Sequence, residues 1–347
     1  MGPTALSMFI SALGLGTIIT MSSHHWLLAW AGLEINTLAI IPLMASIHHP
    51  RAIEATTKYF LTQAAAAALI LFSSINNAWI MGEWDITNLT HPTSIALITL
   101  ALSIKLGLSP FHFWLPEVLQ GSPLMYGLIL TTWQKLAPMT LMFMLTPNLY
   151  PPLLVMMAVL SVLVGGWGGL NQTQIRKILA YSSIAHLGWM AAVMSIYPSL
   201  AMFNLAIYIL MTTSMFLTFH LLSSTNISSL ASSWTKTPII TVLASLALLS
   251  MGGLPPLSGF FPKLLILMEL VKQSTVIIAS IMAVSALISL FFYVRLLYSL
   301  SLTIYPNTFI SSIWWRSKPI INTVLVSTFL ISSSLLLPIL LSSFNLF

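Results

Sequence analysis

The chain has 347 residues, of which 58% are hydrophobic and 5% charged, with a mean hydropathy of +0.97 and a formal net charge of +6. Soluble domains carry about a quarter charged residues, so this composition excludes a soluble enzyme and implies an integral membrane protein. Cysteine is absent, which removes disulfides, thiolate metal sites and iron–sulfur ligation by this chain.

Apolar runs long enough to cross a bilayer, about 20 residues each, fall near 3–21, 26–45, 57–79, 94–116, 124–146, 151–170, 175–195, 199–223, 238–269 with a break, 274–299 and 323–343. These eleven runs predict an all-α membrane protein forming a single integral domain over 1–347. The ten-residue alternation of porin strands is missing. The opening MGPTALSMFISALGLGTII lacks the basic start and cleavage site of a signal peptide, and is expected to remain as the first span.

Taken in order, Arg51 and Lys58 flank the second loop, Arg176 and Lys177 the sixth, Lys236 the eighth, and Arg295, Arg316 and Lys318 the tenth. The odd loops hold Glu83 and Asp85 in the third and Lys272 in the ninth. By the positive-inside rule the N-terminus and even loops face the matrix or cytoplasm and the C-terminus the opposite side. The loops are too short for a soluble catalytic domain. In the longest, Trp314, Trp315, Arg316 and Lys318 read as an interfacial belt. The alanine run 64–68 and the cluster Gly165, Gly166, Gly168 and Gly169 are expected as small-residue faces for close helix approach.

Two stretches interrupt the apolar pattern. Gly107 to Glu117 reads GLSPFHFWLPE and Gly253 to Lys263 reads GLPPLSGFFPK, sharing Gly, Leu and two prolines without a gap. Pro110 and Pro116 offer no N–H to the carbonyls of Leu106 and His112, so the spans are expected to break near 107–116 and 252–262. Paired Gly/Pro-interrupted segments point to inverted repeats with an ion site at the breaks. The two copies differ in where the charge sits: Lys105 aligns with Met251, and Lys263 with Glu117.

Setting aside charges at loops and helix ends leaves Glu34, Lys105, Lys135 and Lys263, each inside a different predicted span. Desolvation makes a lysine easier to deprotonate and a glutamate easier to protonate, and an opposite charge nearby reverses both. Architectural pairing is the plainer reading, but three lysines cannot all pair with one glutamate. The remainder must be neutral, hydrated or paired through something else, and intramembrane ionisable groups read as functional. His112, between two prolines, and His186, inside the seventh span, are candidates either for relay or for hydrogen-bonded packing. The doublets His24-His25 and His48-His49 are expected as solvated interface residues. No spacing suggests a metal site, and no nucleic-acid partner is expected.

The stretches KLGLSPFHFWLPEVLQGSP (105–123), NQTQIRKILAYSSIAHLGWM (171–190) and GGLPPLSGFFPK (252–263) resemble the antiporter-like membrane subunits of respiratory complex I. WLLAWAGLEINTLAIIP (26–42) and EATTKYFLTQAAAA (54–67) extend the resemblance over essentially the whole chain. It implies the antiporter-like fold lacking its first three helices. On this chain that fold would comprise one inverted five-helix repeat over 1–148, a second over 149–303, a broken helix in each, and an interfacial segment with a C-terminal helix over 304–347. It implies that Glu34 pairs with Lys105 on the first broken helix, that Lys135 lies on the next helix, and that Lys263 is the ionisable residue of the second. His112 and His186 would help connect these through water.

The same resemblance implies a subunit of a proton-translocating NADH:ubiquinone reductase in the mitochondrial inner membrane, partnered by other membrane-arm and accessory subunits and by the lipid bilayer. FMN, iron–sulfur clusters, NADH and ubiquinone would belong to those other subunits. A structural phospholipid such as cardiolipin is a candidate ligand. A stand-alone sodium or proton antiporter, active without partners, would carry the same lysines. A structural spacer would use the charges for assembly alone.

Overall fold

A computed structural model describes residues 2–234, 237–302 and 323–335. Every regular element among them is helical: α1 (Pro3–Ser22), α2 (Trp26–Met44), α3 (Pro50–Met81), α4 (Pro92–Leu106), α5 (Trp114–Gly121), α6 (Leu124–Thr131), α7 (Trp133–Met144), α8 (Pro151–Gly169), α9 (Ile175–Met194), α10 (Pro198–Leu221), α11 (Ile227–Ala231), α12 (Pro238–Gly252), α13 (Phe260–Lys272), α14 (Val276–Leu297) and α15 (Thr323–Leu335). Six of these, α1, α2, α3, α8, α10 and α14 with its extension to Ser301, are long and apolar enough to cross a membrane. The belt expected at Trp314, Trp315, Arg316 and Lys318, and the loop residue Lys236, lie outside the described residues.

The helix starts follow from sequence. Proline occupies the first position of α1, α3, α4, α8, α10 and α12, where its missing N–H is one the helix could not use and its fixed φ is already helical. Two histidines expected merely at interfaces have a defined task. The Leu27 N–H donates to Nδ1 of His25 and the Arg51 N–H to Nδ1 of His49, each at 3.2 Å, so His25 and His49 cap α2 and α3. Helix α3 runs 32 residues, about 48 Å at 1.5 Å per residue, longer than the predicted 57–79. Its extra N-terminal turns carry Glu54, which with Glu117 of α5 lies 2.6 Å from Nζ of Lys58.

The chain divides into two compact units, residues 1–161 with 194–198, and 162–193 with 199–347. In the first, α1 packs on α2, α2 on α3, and α3 on α4 and α5, while α7 touches α1, α2 and α4. The predicted span 124–146 is not one helix. It breaks at Thr132 (φ −110°, ψ −67°) between α6 and α7. The cause is local: Thr131 and Thr132 hydroxyls donate back to the Gly127 and Leu128 carbonyls, which bends helices, and Pro138 leaves the Gln134 carbonyl without its helical donor.

In the second unit, α12 packs on α14 and α15, and α13 on α14. The glycine cluster permits close approach as expected: a Cβ on Gly165 would lie 2.7 Å from the Ala185 nitrogen of α9, and one on Gly169 2.8 Å from Phe292 of α14. Arg295 of α14 donates through Nη1 to the Leu170 carbonyl at 2.6 Å and through Nη2 to that of Gln172, closing the chain just past the C-terminus of α8.

Candidate functional site

Both glycine–proline stretches fold the same way. Helix α4 ends at Gly107 (φ +82°) and α12 at Gly253 (φ +83°), a left-handed conformation that glycine adopts without a Cβ penalty. The Leu108 N–H then donates to the Ser103 carbonyl, and the Leu254 N–H to that of Leu249. Each break is followed by a short turn, with Phe111 N–H donating to the Leu108 carbonyl and Leu257 N–H to that of Leu254. Helix then resumes at Trp114 and at Phe260.

The expectation that Pro116 helps break the helix is corrected. Pro116 lies in the first turn of α5, where an N–H has no intrahelical acceptor. The break is made by Gly107 and Pro110. Across it, the Trp114 indole donates to the Ile104 carbonyl at 3.1 Å. His112 sits inside the break, 5% exposed, with Nδ1 3.2 Å from Ser109 Oγ and its ring 4.2 Å from that of Phe113.

Lys105 occupies the last turn of α4 and is 5% exposed. It lines a cavity of about 10 Å³, room for about one water molecule, whose walls also include Asn36 and Thr37 of α2, Tyr59 and Gln63 of α3, and Gln134 and Lys135 of α7. Two sequence-predicted lysines therefore share one space within the first unit. Glu34 stands one helical turn away: the Thr37 hydroxyl, on the cavity wall, lies 2.9 Å from both the backbone carbonyl and Oε2 of Glu34, which share its one proton. No ion pair within 4.0 Å joins Glu34 and Lys105 among the described residues, and Lys105 Nζ has no hydrogen-bond partner among them.

The cavity also holds side chains that counting charges passes over. Asn36 Nδ2 and Oδ1 and Gln63 Nε2 are buried without partners among the described residues, and Gln134 donates to the Asn36 carbonyl at 3.2 Å. The available signal was an amide inside an apolar run, which is costly to bury without a hydrogen-bond partner.

In the second unit Lys263 projects from the first turn of α13 back across the break. Its ammonium donates to the carbonyls of Met251, at 3.2 Å, and Gly252, at 3.0 Å. These are terminal α12 carbonyls with no helical donor, at the negative end of the helix dipole. Lys263 is thus a lysine paired through something other than glutamate. His186 of α9 is 5% exposed and packs on Tyr208 of α10 with ring centroids 5.6 Å apart. Tyr208 and Tyr293 are both buried as well. Neither tyrosine was singled out from sequence. No group of three or more His, Cys, Asp or Glu among the described residues could hold a metal ion.

Residues 23–289 match the family described as NADH:quinone oxidoreductase/Mrp antiporter, TM, and residues 290–343 match NADH dehydrogenase subunit 2 C-terminus. The chain is 59% identical to NADH-ubiquinone oxidoreductase chain 2 of Xenopus laevis over 98% of each chain, and 57% identical to that of Polypterus ornatipinnis over 100% of each. The chain belongs to the NADH-ubiquinone oxidoreductase chain 2 family. Its antiporter-like fold is shared with a chain of the respiratory complex I of Thermus thermophilus solved with bound aureothin, at TM-score 0.80 and 27% identity, covering 97% of this chain and 80% of that one. Within this chain 2 family member, the family match 23–289 takes in both helix breaks and all of Glu34, Lys105, His112, Lys135, His186 and Lys263.

Proposed function

We propose that this chain is a core membrane-arm subunit of respiratory complex I, translocating protons across the mitochondrial inner membrane through buried Glu, Lys and His side chains and water. The energy comes from NADH-to-ubiquinone electron transfer in other subunits, which would hold the FMN, iron–sulfur clusters, NADH and ubiquinone. The names of its relatives and the Thermus neighbour support this membership. The observation that carries the mechanism is that Lys105 and Lys135 line one cavity, with Glu34 tied to its wall through Thr37.

The roles follow from charge coupling. Protonating Glu34, or drawing it away, removes a negative charge that favours the ammonium form of Lys105. Lys105 then releases its proton more readily, and Lys135 across the cavity is the acceptor. Lys263 exchanges protons with the opposite surface, and His112 and His186 relay between groups. Lysine suits these tasks because arginine does not deprotonate.

The finer architecture belongs to the same proposal: eleven spans, one inverted five-helix repeat over 1–148, a second over 149–303, and an interfacial segment with a C-terminal helix over 304–347. The shared geometry of the breaks at Gly107 and Gly253 supports a repeat. The distribution of lysine and arginine supports a matrix-facing N-terminus and an intermembrane-space C-terminus. Accessory subunits and a phospholipid such as cardiolipin would cover the apolar exterior; a purified, active complex free of that lipid would contradict the last point.

A second reading applies to one residue. Lys263 bonds two helix-end carbonyls, which favours an architectural share in its role. The test of the main reading is Lys105→Met in the assembled complex. Coupled quinone reduction should fall by an order of magnitude or more, and normal coupled turnover would refute the assignment.

A further inference from the structure

We propose that Asn36 and Gln63 are positioning residues that hold one water molecule against the Lys105 ammonium, making it the relay by which Lys105 passes its proton onward. This rests on the reading of Lys105 as a proton-carrying group.

Three side chains carrying four unpartnered atoms belong to the wall of one cavity. Asn36, Gln63 and Lys105 are 2%, 3% and 5% exposed, all three line the same cavity, and Asn36 Nδ2 and Oδ1, Gln63 Nε2 and Lys105 Nζ have no hydrogen-bond partner among the described residues. Buried polar groups are satisfied in folded proteins, by protein or by ordered water. Three of the four are donors only, because an ammonium and an amide nitrogen carry no acceptor. Asn36 Oδ1 is the single acceptor in the set.

The donor set identifies the occupant. A metal cation would face an ammonium and amide N–H groups, all of the wrong polarity. An anion would satisfy those donors and offer nothing to the asparagine oxygen. Water accepts two hydrogen bonds and donates two, so one water serves the Lys105 ammonium, one amide N–H and the asparagine oxygen, and the cavity, at about 10 Å³, matches one water with two to four polar partners. Exchanging the ends of the Asn36 amide still presents one donor and one acceptor, so the inference does not depend on that assignment.

Held there, the water has one oxygen lone pair for Lys105 and a proton to give. A proton leaving Lys105 Nζ bonds to the water oxygen as the water releases one of its own protons to Lys135, arriving as a neutral amine on the same cavity wall. One N–H bond breaks and another forms, the water is regenerated, and the charge within the cavity is unchanged. The two amides keep the oxygen in register, and small displacements of a reacting group are costly to rate.

The experiment uses the intact complex, as wild type and carrying Gln63→Leu or Asn36→Leu. Wild-type density at a resolution that shows ordered water should hold one water within hydrogen-bond distance of Lys105 Nζ and of at least one of the two amides. Either substitution should remove it, slow coupled turnover by about tenfold, and raise the H₂O/D₂O rate ratio, a readout that loosened packing alone does not move. A dry cavity in the wild type, or variants that lose the water yet keep both turnover and isotope ratio, would overturn the inference. If Lys105→Met abolishes translocation while Gln63→Leu leaves it intact, the amide role fails and the lysine reading stands. If Lys105→Met is silent, the lysine reading fails, whatever the water shows.

Discussion

The Lys263 ammonium lies 3.0 Å from the carbonyl oxygen of Gly252, the last residue of the helix that precedes its own. A side chain from the second half of a broken helix thereby closes the first half. This ties the charge state of Lys263 to the integrity of the break, since a neutral amine is a weaker donor to a carbonyl than an ammonium is.

Substituting Lys263 separates the two roles. Lys263→Met should leave the Met251 and Gly252 carbonyls unpaired, at about 1–3 kcal/mol each, and so lower both the thermal stability of the assembled complex and its proton translocation. Lys263→Gln supplies amide N–H donors but cannot titrate. It should restore most of the stability and none of the translocation, measured by thermal inactivation and by pumping in sealed vesicles. Restored pumping in the glutamine variant would make the residue architectural only.

Alanine at the glycine caps should cost unequal amounts. Both positions have φ above +80°, where an L-residue is disfavoured by about 1–2 kcal/mol. A Cβ on Gly107 would meet Leu115 Cδ1 at 3.1 Å, whereas on Gly253 it would meet Lys263 Cδ and Nζ, each at 3.0 Å. Gly107→Ala should therefore lower stability with modest loss of activity, and Gly253→Ala should displace Lys263 and lose both. Equal loss of pumping at equal complex content would contradict this.

Much of this was legible in the sequence, and the reasons for the rest are specific. The shared Gly-Leu-x-Pro motif marks both breaks because a left-handed cap needs glycine and a following proline forbids continuation. The four intramembrane charges stand out because the surrounding runs are so apolar. Pro116 misleads because a proline at the start of a helix and one in its middle look alike until the neighbouring glycine is known to end the preceding helix. The break at Thr132 is silent because threonine bends helices only when its hydroxyl bonds back to the preceding turn. Lys263 could not be matched to a carbonyl, since backbone acceptors leave no trace in residue identity. Asn36 and Gln63 escaped for lack of charge.

Pro116 gives a direct check on that correction. In the first turn of α5 it makes no demand on hydrogen bonding, so Pro116→Ala should change stability by only about 0.4–1 kcal/mol, through the unfolded chain, and leave turnover near normal. A large gain in stability, as expected from repairing an interrupted helix, would place the break at Pro116 after all.

Thr37 links Glu34 to the cavity. Thr37→Val keeps the shape and deletes the hydroxyl that donates to Glu34 Oε2 at 2.9 Å. A hydrogen bond to a charged group contributes roughly 1.5–3 kcal/mol, so Glu34 should lose its fixed orientation and coupled turnover should fall by about tenfold, while NADH oxidation by an artificial acceptor is unaffected. Unchanged coupled turnover would show that Glu34 needs no such anchor.

The most direct test is the number of protons moved per electron pair by assembled complex carrying Lys135→Met in sealed vesicles, compared with wild type. Lys135 is 3% exposed on the wall of the cavity it shares with Lys105, so a side chain of similar length that cannot carry a proton should lower that ratio or halt coupled electron transfer outright. Full assembly with an unchanged proton-to-electron ratio would contradict proton passage through this chain.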